Sequence, residues 1–254
     1  MTPNASRLIG RAPHGFFITG TDTGVGKTLV ACALLRAFAA RGLKVVGMKP
    51  VAAGAELMNG VWINDDVEAL IAASNVDAPR NQVNPYGFAP PIAPHIAASE
   101  AKKSIEIKLL AECYAALAEY ADIVVVEGAG GFLAPLNECA TFADFACAIH
   151  VPVILVVGMR LGCLNHALLT AEAIRARGLT LAGWVANHID PAMARADENV
   201  AALQQRLPAP MLARIAFGAQ AEIALASLEV AAALCKVAAA LDEVTAGLCD
   251  PRSI

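Results

Sequence analysis

The residues of this chain best suited to chemistry run together in one stretch, Gly20-Thr21-Asp22-Thr23-Gly24-Val25-Gly26-Lys27-Thr28. Glycines at these positions let backbone N–H groups curl around phosphate oxygens. A helix that starts here points its N-terminal dipole at the same anion. Lys27 can reach terminal phosphates, and the Thr28 hydroxyl can ligate Mg²⁺. Phe16-Phe17-Ile18-Thr19 reads as a strand before the loop, and Thr28 to about Arg41 as a helix after it. Strand, glycine loop and helix in that order are the setting a phosphate loop requires. The spacing departs from the strict pattern, because five residues separate Gly20 from Gly26, one more than it allows. The plainer alternative is a glycine-rich turn that binds nothing.

Other groups gather at similar places. Glu127 directly follows Ile123-Val124-Val125-Val126, an apolar run of the kind found in strands buried on both faces. Gly128-Ala129-Gly130-Gly131 comes next and lets backbone approach a ligand closely. A charge at the end of a core strand needs a partner, so Glu127 either ligates a metal or pairs with a lysine. Asp65 and Asp66 open a helical segment, where acids are favoured by the helix dipole alone; composition promotes neither to metal ligand. Lys49 follows the strand Val45–Met48 and precedes Pro50. It is either a surface residue or a second positive charge in a phosphate site. His14, His95, His150, His166 and His188 have no metal-ligand spacing. The seven cysteines include no C-x-x-C pair, which argues against a zinc site or disulfide framework and for buried thiols in a reducing cytosol.

The elements that must position these groups alternate. Val45–Met48, Ile123–Val126, Val153–Val157, Leu181–Ala186 and Met211–Ala216 read as strands. Asp65–Ser74, 104–120 and Asn165–Arg177 read as helices, and Thr141 with Asp144 makes a capping-box start for a helix to about Ile149. Helical sequence also follows Ala216. The stretch 75–99 carries Pro79, Pro85, Pro90, Pro91 and Pro94 and is expected to be mostly loop. Strands separated by helices imply parallel pairing, with ligands at the carboxyl ends of the strands. Gly20, Lys49, Glu127, Gly158 and Asn187 all fall there. The expected fold is α/β, a three-layer P-loop NTPase fold with a mostly parallel central sheet flanked by helices. Residues 1–14 are polar and are expected to be a flexible N-terminal extension, with 15–250 forming a single domain.

The 254 residues are 57% hydrophobic, ample for a core, and carry a net charge of -4 with no basic cluster. A nucleic-acid partner is therefore not expected. No uncharged apolar run reaches the ~18–20 residues of a membrane span. The Ala-rich stretch near 223–240 is interrupted by Glu229 and Lys236. The expected location is the cytoplasm.

From about Phe16 to Phe217 the chain resembles the dethiobiotin synthetases. The resemblance rests on the loop at 20–28, Lys49-Pro50-Val51-Ala52, Asn84-Pro85-Tyr86 with Phe88, and Glu127 to Gly131. It extends through Leu161-Gly162-Cys163-Leu164-Asn165-His166 and Gly183-Trp184-Val185-Ala186-Asn187. The long loop spacer is that family's own form. The resemblance implies an ATP- and Mg²⁺-dependent enzyme that closes a cyclic urea on 7,8-diaminononanoate with CO₂. It implies Thr28, Asp66 and Glu127 as Mg²⁺ ligands, and Lys27 and Lys49 as the catalytic charges. Nucleotide contacts would come from Thr23, Gly24, Val25, Gly26, Lys27 and Thr28, from Asp66, Glu127, Gly128, Ala129 and Gly130, and around the base from Asn187, His188, Ala216, Phe217 and Gly218. Thr23, Lys49 and Ala53 would lie near the diamine. The family is homodimeric, and Gly162, Cys163, Leu164 and Asn165 would hold the substrate carboxylate from the other subunit. Asn165 has a second reading as a simple N-cap.

Some positions depart from relatives: Gly24 stands where Glu can occur, Ala53 where Ser does, Arg160 for Lys, Ala216 for Pro, and Asn199 where Tyr can occur. Two rival readings share the loop. A switch ATPase of the partitioning type needs a signature Lys where Asp22 stands. A GTPase is suggested by Asn187-His188-Ile189-Asp190, which resembles the Asn-Lys-x-Asp guanine reader with His for Lys, yet no Asp-x-x-Gly follows the strand ending at Glu127.

Overall fold

The computed structural model describes residues 14–219. The expected N-terminal extension lies almost entirely outside them, as do the Ala-rich stretch 223–240 and the helical sequence expected after Ala216. In chain order the elements are β1 (His14–Gly20), α1 (Lys27–Ala39), β2 (Val45–Met48), β3 (Val51–Ala53), β4 (Glu56–Met58) and β5 (Val61–Ile63). There follow α2 (Asp65–Ala73), α3 (Arg80–Val83), β6 (Tyr86–Phe88), α4 (Pro94–Glu100), α5 (Ile107–Tyr120) and β7 (Ile123–Gly131). The last are α6 (Phe142–Ile149), β8 (Val153–Met159), α7 (Cys163–Ala176), β9 (Leu181–His188), α8 (Ala196–Arg206) and β10 (Met211–Ile215).

Six strands form one sheet in the order β10-β9-β8-β1-β7-β2, and all of its pairings are parallel. β7 and β8 read as continuous apolar runs because both faces of the sheet are covered. Successive β1 side chains go to opposite faces. Phe16 and Ile18 pack with Leu34, Leu35 and Phe38 of α1, while Phe17 packs with Phe142 and Phe145 of α6. The Phe16 and Phe38 rings stack at 5.7 Å. A third cluster joins β8 and β9 to α7 and α8 through Trp184, Ala167 and Leu203. The layers are therefore helix, sheet, helix, with the expected three-layer architecture. No helix among the described residues is long and apolar enough to cross a membrane.

Three expectations need correction. The stretch 75–99 is not mostly loop, since it holds α3, β6 and α4. Pro94 is the first residue of α4, where its missing N–H costs nothing. β6 pairs parallel with β3 outside the main sheet. Second, α7 starts at Cys163 with Gly162 as its N-cap, so Asn165 is the third helical residue and not a cap. Third, Gly20, Gly158 and Asn187 lie within the last two residues of β1, β8 and β9 and Glu127 lies in the middle of β7, rather than past these strands. The β4–β5 hairpin was unexpected, although Asn59-Gly60 is a strong two-residue turn signal; both residues have positive φ, 52° and 81°. The Thr141–Asp144 box is present, with the Thr141 N–H donating to Asp144 Oδ2 at 2.7 Å.

Candidate active site

The phosphate loop leaves the carboxyl end of β1 between its two neighbours, β7 and β8. The Thr21 N–H donates to the Val156 carbonyl at 3.0 Å, and the Gly158 N–H donates to Thr21 Oγ1 at 3.2 Å. These bonds fix the loop to β8. The Arg160 guanidinium pairs with the Asp22 carboxylate from the same side. Gly26 caps α1 with φ 90°. A Cβ there would lie 2.3 Å from Asn187 Nδ2, which itself donates to the Val25 carbonyl at 2.8 Å. Gly26→Ala therefore meets both a steric clash and a left-handed backbone, each costing on the order of 1–3 kcal/mol. We expect lower stability in urea melts and lost nucleotide binding by calorimetry; a variant with wild-type affinity would contradict this account.

Lys27 is buried, and its Nζ donates to the Asp22 carbonyl at 2.9 Å. Burial, with help from nearby Lys49, brings its pKa from 10.5 down to about 8. Thr28 Oγ1 lies 2.8 Å from both Asp66 Oδ1 and Glu127 Oε1. Its single hydroxyl hydrogen can serve one of them at a time. Lys49 Nζ bridges the same acids, at 2.8 Å from Asp66 Oδ2 and 2.5 Å from Glu127 Oε1. Burial alone would lower the Lys49 pKa, but Glu127 and Asp66 together outweigh it and hold it above the ordinary lysine value. Asp66 feels an opposing burial effect, yet Lys49 and Thr28 keep its carboxyl below the ordinary aspartate range. Burial pushes the Glu127 carboxyl up despite Lys49.

Local structure explains these placements. The Asn64 side chain caps α2 by accepting from the Asp66 and Val67 N–H groups, and its amide donates to the Ala53 carbonyl at 3.2 Å. That turns Asp66 toward the loop and leaves Asp65 exposed. Asn84 Nδ2 donates to the Lys49 carbonyl at 2.6 Å, and the Lys49 N–H donates to the Val83 carbonyl at 2.8 Å. Neither Asn64 nor Asn84 was singled out from the residues themselves. For Asn64 the signal exists, an Asn immediately before an acidic first helical turn.

The oxygens of Thr28, Asp66 and Glu127 form a hard donor set of the sort Mg²⁺ takes when phosphates complete its shell. Glu127 Oε2 is buried with no hydrogen-bond partner among the described residues. It is a spare acceptor that a cation would satisfy, so the residues fit the ion. Among the described residues no three His, Cys, Asp or Glu side chains form a metal cage. The protein thus offers an open partial shell.

These groups line one end of a cleft of about 690 Å³. Thr23, Gly24, Gly26, Lys27 and Thr28 meet Lys49, Asp66, Glu127, Ala129 and Gly130 there, with Ala53 on the wall. Val51, Ile92, Ala134 and three prolines or alanines of 91–94 make the rest apolar. Val25 and Gly128 are buried beside the cleft without lining it. His188, Ala216 and Phe217 line a second cavity of about 490 Å³, next to Gly218 in a turn closed by an Ala219 N–H to Ala216 carbonyl bond at 3.0 Å. Asn187 is buried under the loop. Gly162, Cys163, Leu164 and Asn165 do not line the cleft of their own chain. The Cys163 side chain is buried, and its N–H already donates to the Arg160 carbonyl at 3.0 Å. Asn199 spends its amide on the Arg195 carbonyl at 2.8 Å.

Comparison with known proteins gives this geometry a family. A protein-family profile described as an AAA domain matches residues 14–222. An ATP-dependent dethiobiotin synthetase of Nitrosospira multiformis is 60% identical over 198 residues, covering 78% of this chain and 86% of that protein. One from Aromatoleum aromaticum is 55% identical over 200 residues, covering 79% and 89%. Among solved structures, the septum site-determining protein MinD of Pyrococcus horikoshii, complexed with Mg-ADP, superposes with a TM-score of 0.52 at 18% identity, covering 92% of this chain and 97% of that one. The cell division ATPase MinD of Pyrococcus furiosus does so with a TM-score of 0.52 at 18% identity, covering 89% and 100%. Those structures speak for the fold alone, whereas the identity to the synthetases spans 78% and 79% of this chain: the chain belongs to the ATP-dependent dethiobiotin synthetase family.

Proposed function

We propose that this chain closes the ureido ring of dethiobiotin from 7,8-diaminononanoate, CO₂ and Mg·ATP. One amine adds to CO₂ and loses a proton, giving a carbamate. A carbamate oxygen attacks the γ-phosphorus and ADP leaves, giving a carbamic-phosphoric anhydride. The second amine then attacks the carbonyl carbon, and phosphate departs with the former carbamate oxygen as the ring closes. Phosphoryl transfer of this type is governed by positioning and by stabilisation of charge.

One observation carries the reading. Two buried lysines and two carboxylates meet at one end of a cleft whose remaining walls are largely apolar. The charged end suits carbamate and γ-phosphate, and the apolar walls suit the hydrocarbon chain of the diamine. In this reading Lys27 leaves the Asp22 carbonyl for the transferring phosphoryl group, and Lys49 steadies the carbamate. Loop N–H groups from Gly24 to Thr28 hold the phosphates. Thr28, Asp66 and Glu127 would hold Mg²⁺, which supplies charge neutralisation across the phosphates when bound. Thr23 lies beside the diamine, and Ala53 offers it only van der Waals contact.

The enzyme acts as a homodimer in the cytoplasm. The start of α7 does not line the cleft of its own chain, which favours Gly162, Leu164 and Asn165 serving a second copy with backbone N–H groups and one amide. The partitioning-type ATPase reading is disfavoured by Asp22, whose carboxylate is tied to Arg160 where a free signature lysine would be needed.

The test is purified protein with bicarbonate, Mg·ATP and the diamine, the product followed by mass. We expect dethiobiotin and phosphate in equal amounts. Phosphate release that does not depend on both diamine and CO₂ would sink the proposal.

A further inference from the structure

A single residue just past β8 touches two parts of the molecule that must work together. Arg160 directly follows Met159, and its guanidinium pairs with the Asp22 carboxylate, 138 positions away in the chain. Its carbonyl accepts from the N–H of Cys163, the first residue of α7, at 3.0 Å. Asp22 spends its other oxygens inside the phosphate loop. Its carbonyl accepts from Lys27 Nζ at 2.9 Å, and its Oδ1 accepts from the Thr23 N–H at 2.7 Å. Neither Asp22 nor Arg160 lines the cleft, whereas Thr23 and Lys27 both do. Any effect of the pair on chemistry therefore passes through the loop.

An acid in such a loop works against its use. Backbone N–H groups and a lysine collect there to hold an anion, and a carboxylate beside them repels the same anion. The Lys27 ammonium already rests on the Asp22 carbonyl, so a carboxylate released from Arg160 has that ammonium within reach as a new partner. The guanidinium prevents both outcomes. It cancels the charge, and its planar fork holds the carboxylate toward the end of β8. Folding stability is not what the pair supplies. The two side chains are 43% and 44% exposed, and ion pairs this open to water contribute little to folding.

We propose that Arg160 is a positioning residue of the phosphate loop: it holds the Asp22 carboxylate away from the phosphates and from Lys27, and so leaves the Lys27 ammonium free for the transferring group. The inference rests on the proposed phosphoryl-transfer reaction for its turnover arm, while nucleotide binding tests it independently.

The test compares wild type with Arg160→Gln, with Arg160→Lys, and with Arg160→Gln combined with Asp22→Asn. Calorimetry gives the affinity for Mg·ADP, urea melts give stability, and kcat and KM for Mg·ATP are measured with diamine and bicarbonate. Arg160→Gln should weaken Mg·ADP binding about tenfold, the effect of one uncompensated charge near the phosphates. It should lower kcat by roughly tenfold or more, because Lys27 is drawn away from the developing charge, and leave the urea midpoint unchanged. Arg160→Lys keeps the charge and should recover most of both losses. Asp22→Asn added to Arg160→Gln should bring affinity and kcat back to within about threefold of wild type, since Asn carries no charge and keeps an acceptor for the Thr23 N–H. A residue needed only to shape the turn into α7 would give the same loss whatever stands at position 22. If wild type shows no diamine-dependent phosphate release, the proposed reaction fails, and the inference is decided by the Mg·ADP affinities across the same proteins. Wild-type affinity and turnover in Arg160→Gln, a combined variant no better than Arg160→Gln alone, or loss of the fold in Arg160→Gln overturns the inference.

Discussion

Lys27→Ala is expected to lower turnover by about 10³-fold, the loss of a preorganised charge at a site where negative charge develops. The fold should survive, because the Lys27 side chain makes one polar contact of its own, to the Asp22 carbonyl. Far-ultraviolet circular dichroism separates the two effects, and near-normal activity would refute the role given to Lys27. The same variant has a pH signature. In the unliganded protein burial lowers the Lys27 pKa from 10.5 to about 8. Within that window the unfolded chain binds more protons than the folded one, so the Lys27 contribution to stability rises with pH. The wild-type minus variant difference in urea melts should therefore become more favourable to wild type as pH rises from 8 toward 10.5. Parallel curves across the window would show that the ammonium is not desolvated.

Lys49→Ala should cost stability as well as activity. Lys49 and Glu127 are both almost fully buried and lie 2.5 Å apart. Removing one partner of such a pair strands the other charge, at a cost of about 3–5 kcal/mol. Asp66 is the lesser loss, since its side chain is 42% exposed and water screens it. The sign of the pH dependence follows from Glu127. Burial already sets its pKa above the ordinary glutamate value, and losing Lys49 removes the main opposing charge. The folded variant then takes up a proton before the unfolded chain does, so its deficit should shrink as pH falls toward the ordinary glutamate range. Wild-type Lys49, with its pKa raised, keeps its stabilising contribution throughout neutral pH and loses it only above the ordinary lysine value. The double variant Lys49→Met with Glu127→Gln should regain most of the stability and none of the activity. A single-variant loss under about 1 kcal/mol, or no recovery in the double variant, would contradict a buried charge pair.

The sequence alone determined the parts of this protein that depend on contiguous pattern. Glycine spacing and the strand before it located the phosphate loop, because the needed backbone conformations belong to those residues themselves. The apolar runs at Ile123–Val126 and Val153–Val157 located buried strands, because parallel strands covered on both faces leave that mark. Local pattern failed in the stretch 75–99, where prolines read as loop although Pro94 starts a helix and Tyr86–Phe88 pairs with Val51–Ala53.

Only the tertiary structure decided which charges meet. The Asn64 cap sets Asp65 and Asp66 on different sides of the first turn, but only the packing of α2 brings the second to Thr28, 38 positions away in the chain. Lys49 could have been a surface residue until sheet order placed β2 beside β7 and brought it to Glu127. The insertion of β1 between β7 and β8 set Arg160 against Asp22 and put Asn187 beneath Gly26. These are contacts between residues far apart in sequence. Sheet order and packing fix them, and neither composition nor period along the chain carries that information.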